Sequence, residues 1–261
     1  MFLRWLITFT LLLVVRASGS ESALNASDPG DLLEDSIHDY SSGEGRWAYR
    51  QVLTEFDRKG RIKKVETTIT DPSLPWDARE MLIATAEGPA NEAEQKRFQR
   101  ERLKEYRKAE RGQDRRFRLR DRIDFSAVSL LYRSIEKIEM QLPILPDPLR
   151  DRGFPVDKIK MTAELATGTH DLSVIRARLL EPVRYRGVAR MKEAELDIKF
   201  EPMGEAHHPV AVVLLEGTAA ASLLFFPVGG SVRIERSEHR WVTPFDERFS
   251  VEVGTPTAID F

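Results

Sequence analysis

The chain of 261 residues contains no cysteine. This absence excludes disulfide bridges, thiolate metal sites, thiol nucleophiles and the acylated cysteine that anchors a bacterial lipoprotein. Net charge is nearly absent too, because 40 basic residues stand against 42 acidic ones. The overall charge therefore gives no pull toward nucleic acid or an anionic membrane.

The sequence also lacks the short motifs of common enzyme sites, such as a Gly-x-Ser-x-Gly elbow, a phosphate loop or a dinucleotide fingerprint. Of five scattered histidines, only His207 and His208 are adjacent. Neighbouring strand residues face opposite ways, so this pair would not hold one metal ion without a bend. We predict no enzymatic activity, no cofactor and no metal site; a hydrolase is an alternative without a supporting motif.

No apolar run after the first segment approaches the roughly 20 residues that a membrane-crossing helix needs. Residues 1–19 combine Arg4, an apolar stretch from Leu6 to Val15 and the small residues 17–19, which is typical of a secretory signal peptide. We predict cleavage near Gly19 and a soluble periplasmic product that is not a lipoprotein. A retained anchor is the alternative.

Three regions follow from composition and periodicity. Residues 1–19 are the predicted signal peptide, and residues 20–45, rich in Ser, Gly, Asp and Glu, predict a flexible or helical N-terminal arm that is loosely docked. Residues 46–261 predict a single curved-sheet domain that includes a helix over 91–111.

Apolar and polar residues alternate with a period of two through much of this domain. Ile138, Met140 and Leu142, for example, are separated by polar residues, as expected of strands with one buried face. The pattern predicts a mainly β (α+β) fold, a strongly curved antiparallel sheet (half-barrel) of about eight to ten strands. One long charged helix and a short N-terminal helical arm complete it.

The predicted long helix begins with a capping-box pattern at Asn91 and Glu94. Residues 96–120 hold twelve Lys or Arg and four acidic residues, which suits lipid headgroups, lipopolysaccharide phosphates or an acidic partner domain. The alternative is a solvated helix with pairs such as Arg97 with Glu101. The candidate basic surface consists of Arg97, Arg100, Arg107 and Arg111.

One helix with a thin apolar stripe covers less area than the predicted apolar sheet face offers. The excess predicts a groove for an acyl chain, since large curved sheets often enclose ligands. The alternative is that the most apolar run, 219–226, is a central strand buried on both faces. The candidate groove residues are Met161, Leu196, Ile198, Phe200, Leu214, Leu224 and Phe226.

The chain resembles a group of uncharacterised exported bacterial proteins, which is itself similar to the LolA/LolB-like periplasmic lipoprotein carriers. The resemblance rests on Trp47-Ala48-Tyr49, Asp71-Pro72-Ser73, Gly88-Pro89, Leu180-Glu181-Pro182, Met191-Lys192-Glu193-Ala194-Glu195-Leu196 and Phe200-Glu201-Pro202. It implies a strongly curved half-barrel closed by helices, with an apolar cavity for acyl chains and no catalytic residue.

Our leading hypothesis is a soluble periplasmic protein that binds acyl chains or lipid-bearing proteins in an apolar groove. The alternative is an envelope interaction or scaffold module with no small ligand, which docks a protein partner through its sheet edge or basic helix. Peripheral membrane contact fits either hypothesis, and nucleic acid is not an expected partner.

Overall fold

The computed structural model describes residues 28–110, 120–145, 156–185, 189–203, 209–223 and 226–249. The helices are α1 (Pro29–Gly43) and α2 (Glu92–Glu110). The strands are β1 (Trp47–Asp57), β2 (Ile62–Thr70), β3 (Glu80–Thr85), β4 (Gly88–Pro89), β5 (Ser129–Arg133), β6 (Lys137–Leu142), β7 (Ile159–Ala166), β8 (Leu172–Leu179), β9 (Val183–Tyr185), β10 (Ala189–Glu201), β11 (Ala211–Leu223) and β12 (Phe226–Trp241).

All described strands belong to one curved antiparallel sheet, which confirms the predicted fold class. Its order is β4-β3-β2-β1-β12-β11-β10-β8-β7-β6-β5, with β9 paired to β10. Within the described residues the sheet is not closed, because β4 and β5 stand at its two ends. The twelve strands exceed the predicted number because the short β4 and β9 and the exposed β5 carry no clear alternation.

Strand β11 joins the apolar residues at 211–215 to the beginning of the apolar run 219–226. It is one strand paired with β10 and β12 across Glu216, Gly217 and Thr218. Glu216 does not interrupt it because its carboxylate reaches the guanidinium of Arg233 at 3.5 Å on the charged face of the sheet.

Helix α1 packs firmly on the sheet, whereas the sequence predicted a loosely docked arm. The Asp28 side chain accepts a hydrogen bond from the Gly30 N–H at 3.0 Å, and Pro29 occupies the first helical position, which together give a stable start. Leu33 and Ile37 are fully buried. Their spacing of four residues puts both on one face, against the sheet.

Helix α2 lies over β3. Its predicted capping box is present, because the Glu94 N–H donates to the Asn91 side chain at 3.0 Å and the Asn91 N–H donates to the Glu94 carboxylate at 2.9 Å. Phe98 is buried, and the ring of Tyr106 stacks on Trp76 with centroids 4.3 Å apart. The helix therefore covers the far end of the sheet from α1.

Candidate functional site

An apolar row crosses most of the sheet on one face. In an antiparallel pair, directly opposed residues share a face, so the register can be followed from strand to strand. The row takes one residue from each of β1, β12, β11, β10, β8, β7 and β6: Leu53, Ile234, Leu215, Ile198, Ile175, Ala163 and Met140. At about 4.8 Å between strands, it extends roughly 29 Å.

A second apolar row runs beside the first on the same face. Its members are Val232, Gly217, Leu196, Ala177, Met161 and Leu142. Together the two rows form a continuous apolar floor across six neighbouring strands.

The opposite face of the sheet is charged. There the register aligns Arg233, Glu216, Asp197 and Arg176 across four neighbouring strands. Glu164 lies on this face as well, and its carboxylate accepts hydrogen bonds from Arg176 at 2.6 Å and Lys137 at 2.9 Å. Burial acts to raise the pKa of Glu164, but these two hydrogen bonds and the positive charges of Arg176 and Lys137 together hold the pKa below its usual range.

Helix α1 covers one end of the apolar face. Its Tyr40 ring meets Phe200 edge to face, with centroids 4.9 Å apart, and Phe200 lies two residues from Ile198 and therefore on the same face. Leu33 and Ile37 join the buried cluster that includes Met140. This end of the face is a packed core.

Helix α2 covers the other end of the same face. Gln51, two residues from Leu53, is opposite Thr68, and Thr68 is opposite Leu82. Glu80, two residues before Leu82, pairs with Arg102 of α2 at 3.2 Å.

The strands between the two helices carry a cluster that we call the central apolar surface. Leu215, Val232 and Ile234 are buried there, while Leu53, Leu196 and Ile198 pack against them and are half-buried. This surface is the candidate site, because its half-buried apolar side chains remain partly accessible to an apolar ligand.

The structure divides the predicted groove residues into groups. Leu196 and Ile198 belong to the central apolar surface, whereas Met161 and Phe200 lie in the core packed under α1. Leu214 is on the charged face, because it is opposite Lys199 and Glu235. Leu224 lies outside the described residues; Phe226 is described only as the first residue of β12, opposite Leu223.

Four residues of the central apolar surface were not among the predicted groove residues: Leu53, Leu215, Val232 and Ile234. Alternation in β12, where Val232 and Ile234 are separated by Arg233, is a signal that identifies two of them. Leu53 and Leu215 are identified only by the pairing of distant strands.

The predicted basic residues lie along α2. Arg97, Arg100 and Arg107 are exposed, and Arg111 lies outside the described residues. Within the described part of the chain, Arg97, Arg100 and Arg107 lie on the solvent-facing side of the helix. Ion pairs on α2 join Lys96 to Glu92 and Arg102 to Glu105.

His239 lies half-buried at the α1 end of β12, between aromatic rings. Its Nε2 atom is 3.2 Å from the Val212 carbonyl oxygen, and its ring centroid is 6.1 Å from Trp47 and 6.0 Å from Tyr49. Burial lowers the pKa of this imidazole.

Among the described residues, no three His, Asp or Glu side chains are grouped in a way that could hold a metal ion. His207 and His208, the adjacent histidines, lie outside them. Of the helices in the described ranges, none has the length and apolar character needed to cross a membrane.

The chain has few recognisable relatives among known proteins. No family model and no curated protein matches the chain. Among solved structures, the chain is similar to the crystal structure of a LolA superfamily protein from Nitrosomonas europaea, with 10% identity, coverage of 87% of this chain and 99% of that chain, and a TM-score of 0.35. A likeness this weak transfers neither fold nor function, so membership of that family stays a prediction.

Proposed function

We propose that this protein binds acyl chains, free or attached to lipid-bearing proteins, on its central apolar surface, in the periplasm and without catalysis. The observation that carries the proposal is the apolar floor, which α1 covers at one end and which is left half-buried at Leu53, Leu196 and Ile198, between the two helices. A sheet face that is apolar across six neighbouring strands suits a long, flexible apolar ligand.

The energetics favour an acyl chain over a compact polar ligand. Burial of one methylene group contributes about 0.8 kcal/mol, so ten methylenes supply roughly 8 kcal/mol before the entropic costs of binding. The two rows of the floor carry no charged side chain. A polar ligand bound there would lose its hydrogen bonds to water without gaining others, which makes its binding unfavourable.

The test is a titration of the protein with a dansyl-labelled undecanoic acid, followed by dansyl fluorescence. Leu196→Gln places an amide on the apolar floor and should weaken binding about tenfold or more, because the amide loses water without gaining a partner. Leu214→Gln is the matched control: the same substitution, also half-buried, on the neighbouring strand but on the charged face.

Equal loss of binding in both variants, or no fluorescence change with the unsubstituted protein, would refute the proposal. Thermal unfolding of both variants is measured alongside, so that a folding defect is not mistaken for a binding defect.

The alternative, a module that docks a protein partner, is favoured by one observation. Edge strand β5 and the turn after it expose four large apolar side chains: Leu130, Leu131, Tyr132 and Ile135. Exposed edge strands with apolar side chains are sites of strand addition. A photo-crosslinking amino acid at position 132, with position 192 as the control, should give a discrete protein adduct in envelope extracts only at 132; its absence counts against this alternative.

A further inference from the structure

A basic stripe runs along the exposed side of α2. We define it as Arg97, Arg100, Lys104 and Arg107, all exposed. At 3.6 residues per turn the four positions fall within an arc of about 80° and extend along about 15 Å of the helix. The stripe therefore presents its charges in one direction.

The packing side of α2 is opposite the stripe. Phe98 is buried toward the sheet, Arg102 reaches Glu80 of β3 at 3.2 Å, and Tyr106 stacks on Trp76. Because these contacts fix the rotation of the helix, the stripe faces away from the sheet.

The carboxylates of α2 offset the stripe only in part, through Glu101, which lies four residues after Arg97 and three before Lys104. Three of these are engaged elsewhere: Glu92 with Lys96 at 2.5 Å, Glu105 with Arg102 at 2.8 Å, and Glu94 with the Asn91 N–H at 2.9 Å. The protein as a whole is slightly acidic, so this positive surface is local.

We infer that the basic stripe docks the protein on a lipid bilayer rich in anionic phospholipid headgroups. Four cations in one direction match a plane of repeated negative charges, whereas a single free phosphate would meet only one or two of them. The inference does not depend on acyl-chain binding, since the stripe and the central apolar surface share no residue.

Sedimentation with vesicles tests the inference on the full chain. Binding is expected to vesicles of phosphatidylcholine mixed with phosphatidylglycerol, to be absent with phosphatidylcholine alone, and to fall as salt rises. Each cation near such a surface contributes about fivefold in affinity. The variant R97E/R100E/K104E/R107E should therefore bind more than about 100-fold more weakly.

A matched control variant changes the total charge equally. K63E/R133E/K160E/K192E reverses four exposed cations on four strands of the sheet, away from α2, and should retain most of the binding. A second stripe variant with glutamine at the four positions keeps good helix formers and should also lose binding, with α2 checked by circular dichroism.

Three results would overturn the inference: equal binding to phosphatidylcholine alone, unaltered binding by both stripe variants, or equal loss in the control variant. Dansyl-undecanoic acid binding should be the same in all of these proteins, so failure here and failure of the proposed function are distinguishable.

Discussion

The phenol ring of Tyr40 in α1 stands edge to face against the ring of Phe200 in β10, with centroids 4.9 Å apart and planes at 79°. This contact joins the N-terminal helix to a strand 160 residues further along the chain. The contact lies near the limit of the area that α1 covers. Phe200 is buried, whereas Ile198, two residues before it on the same face, is only half-buried.

Truncation of Tyr40 should loosen α1. Tyr40→Ala removes a buried ring and is expected to lower the free energy of unfolding by about 3 kcal/mol or more. Tyr40→Phe keeps the ring and should cost no more than about 1.5 kcal/mol. Urea denaturation followed by tryptophan fluorescence measures both; equal losses would mean that the ring contact contributes little.

Gly30 should be intolerant of a side chain. A methyl group at this position would overlap the Phe125 carbonyl oxygen, which is backbone and cannot rotate away. Gly30→Ala is therefore expected to cost about 1–3 kcal/mol despite the better helix propensity of alanine. Gly45→Ala is the control, since nothing lies within 4 Å of the added methyl group, and thermal unfolding should place it near the unsubstituted protein.

Glu164 should make stability depend on pH in the acidic range. Because its pKa in the folded protein lies below the reference value of 4.5, its contribution is present above that value and is lost as pH falls through the folded pKa. Glu164→Gln should flatten the fall in unfolding free energy between about pH 5 and pH 3. Glu195→Gln is the control because its pair with Arg178 is exposed and 3.8 Å long; an unchanged slope in Glu164→Gln would contradict the expectation.

The half-buried imidazole of His239 should make the free energy of unfolding depend on pH below 6.5. Burial holds its pKa in the folded protein below the reference value of 6.5, so its contribution is complete above that value and is lost as pH falls from there toward the folded pKa. An NMR titration of the His239 ring should give a midpoint below 6.5. A midpoint above that value would show that the imidazole is not buried as described.

The sequence predicted the half-buried strands well because their two faces differ in polarity. Met140 and Ile138 are buried while Gln141 between Met140 and Leu142 is exposed, which is the pattern that periodicity detects. Strand β5 was missed because all five of its residues are exposed at the sheet edge.

The extent of α1 was underestimated because two serines lie on its buried face. The Ser41 hydroxyl donates to the Ile37 carbonyl at 2.6 Å, and the Ser36 hydroxyl lies within hydrogen-bond distance of the Leu32 and His170 carbonyls. Buried hydroxyl groups satisfied in this way look like surface residues in a sequence.

The face of Leu214 was beyond sequence reasoning for a different reason. The register of β10 with β11 shifts between Lys199 and Phe200, so Val212 and Leu215 face the apolar side while Leu214 does not. In an uninterrupted apolar run, an irregularity of one residue leaves no trace in the pattern.

Photo-crosslinking of a diazirine-labelled fatty acid, followed by mass spectrometry of the adducts, tests acyl-chain binding most directly. The account predicts adducts on Leu53, Leu196, Ile198 and their neighbours in the central apolar surface, which unlabelled fatty acid should suppress. Adducts confined to the charged face around Leu214 or to the exposed edge at β5, or no adduct that unlabelled fatty acid competes away, would contradict it.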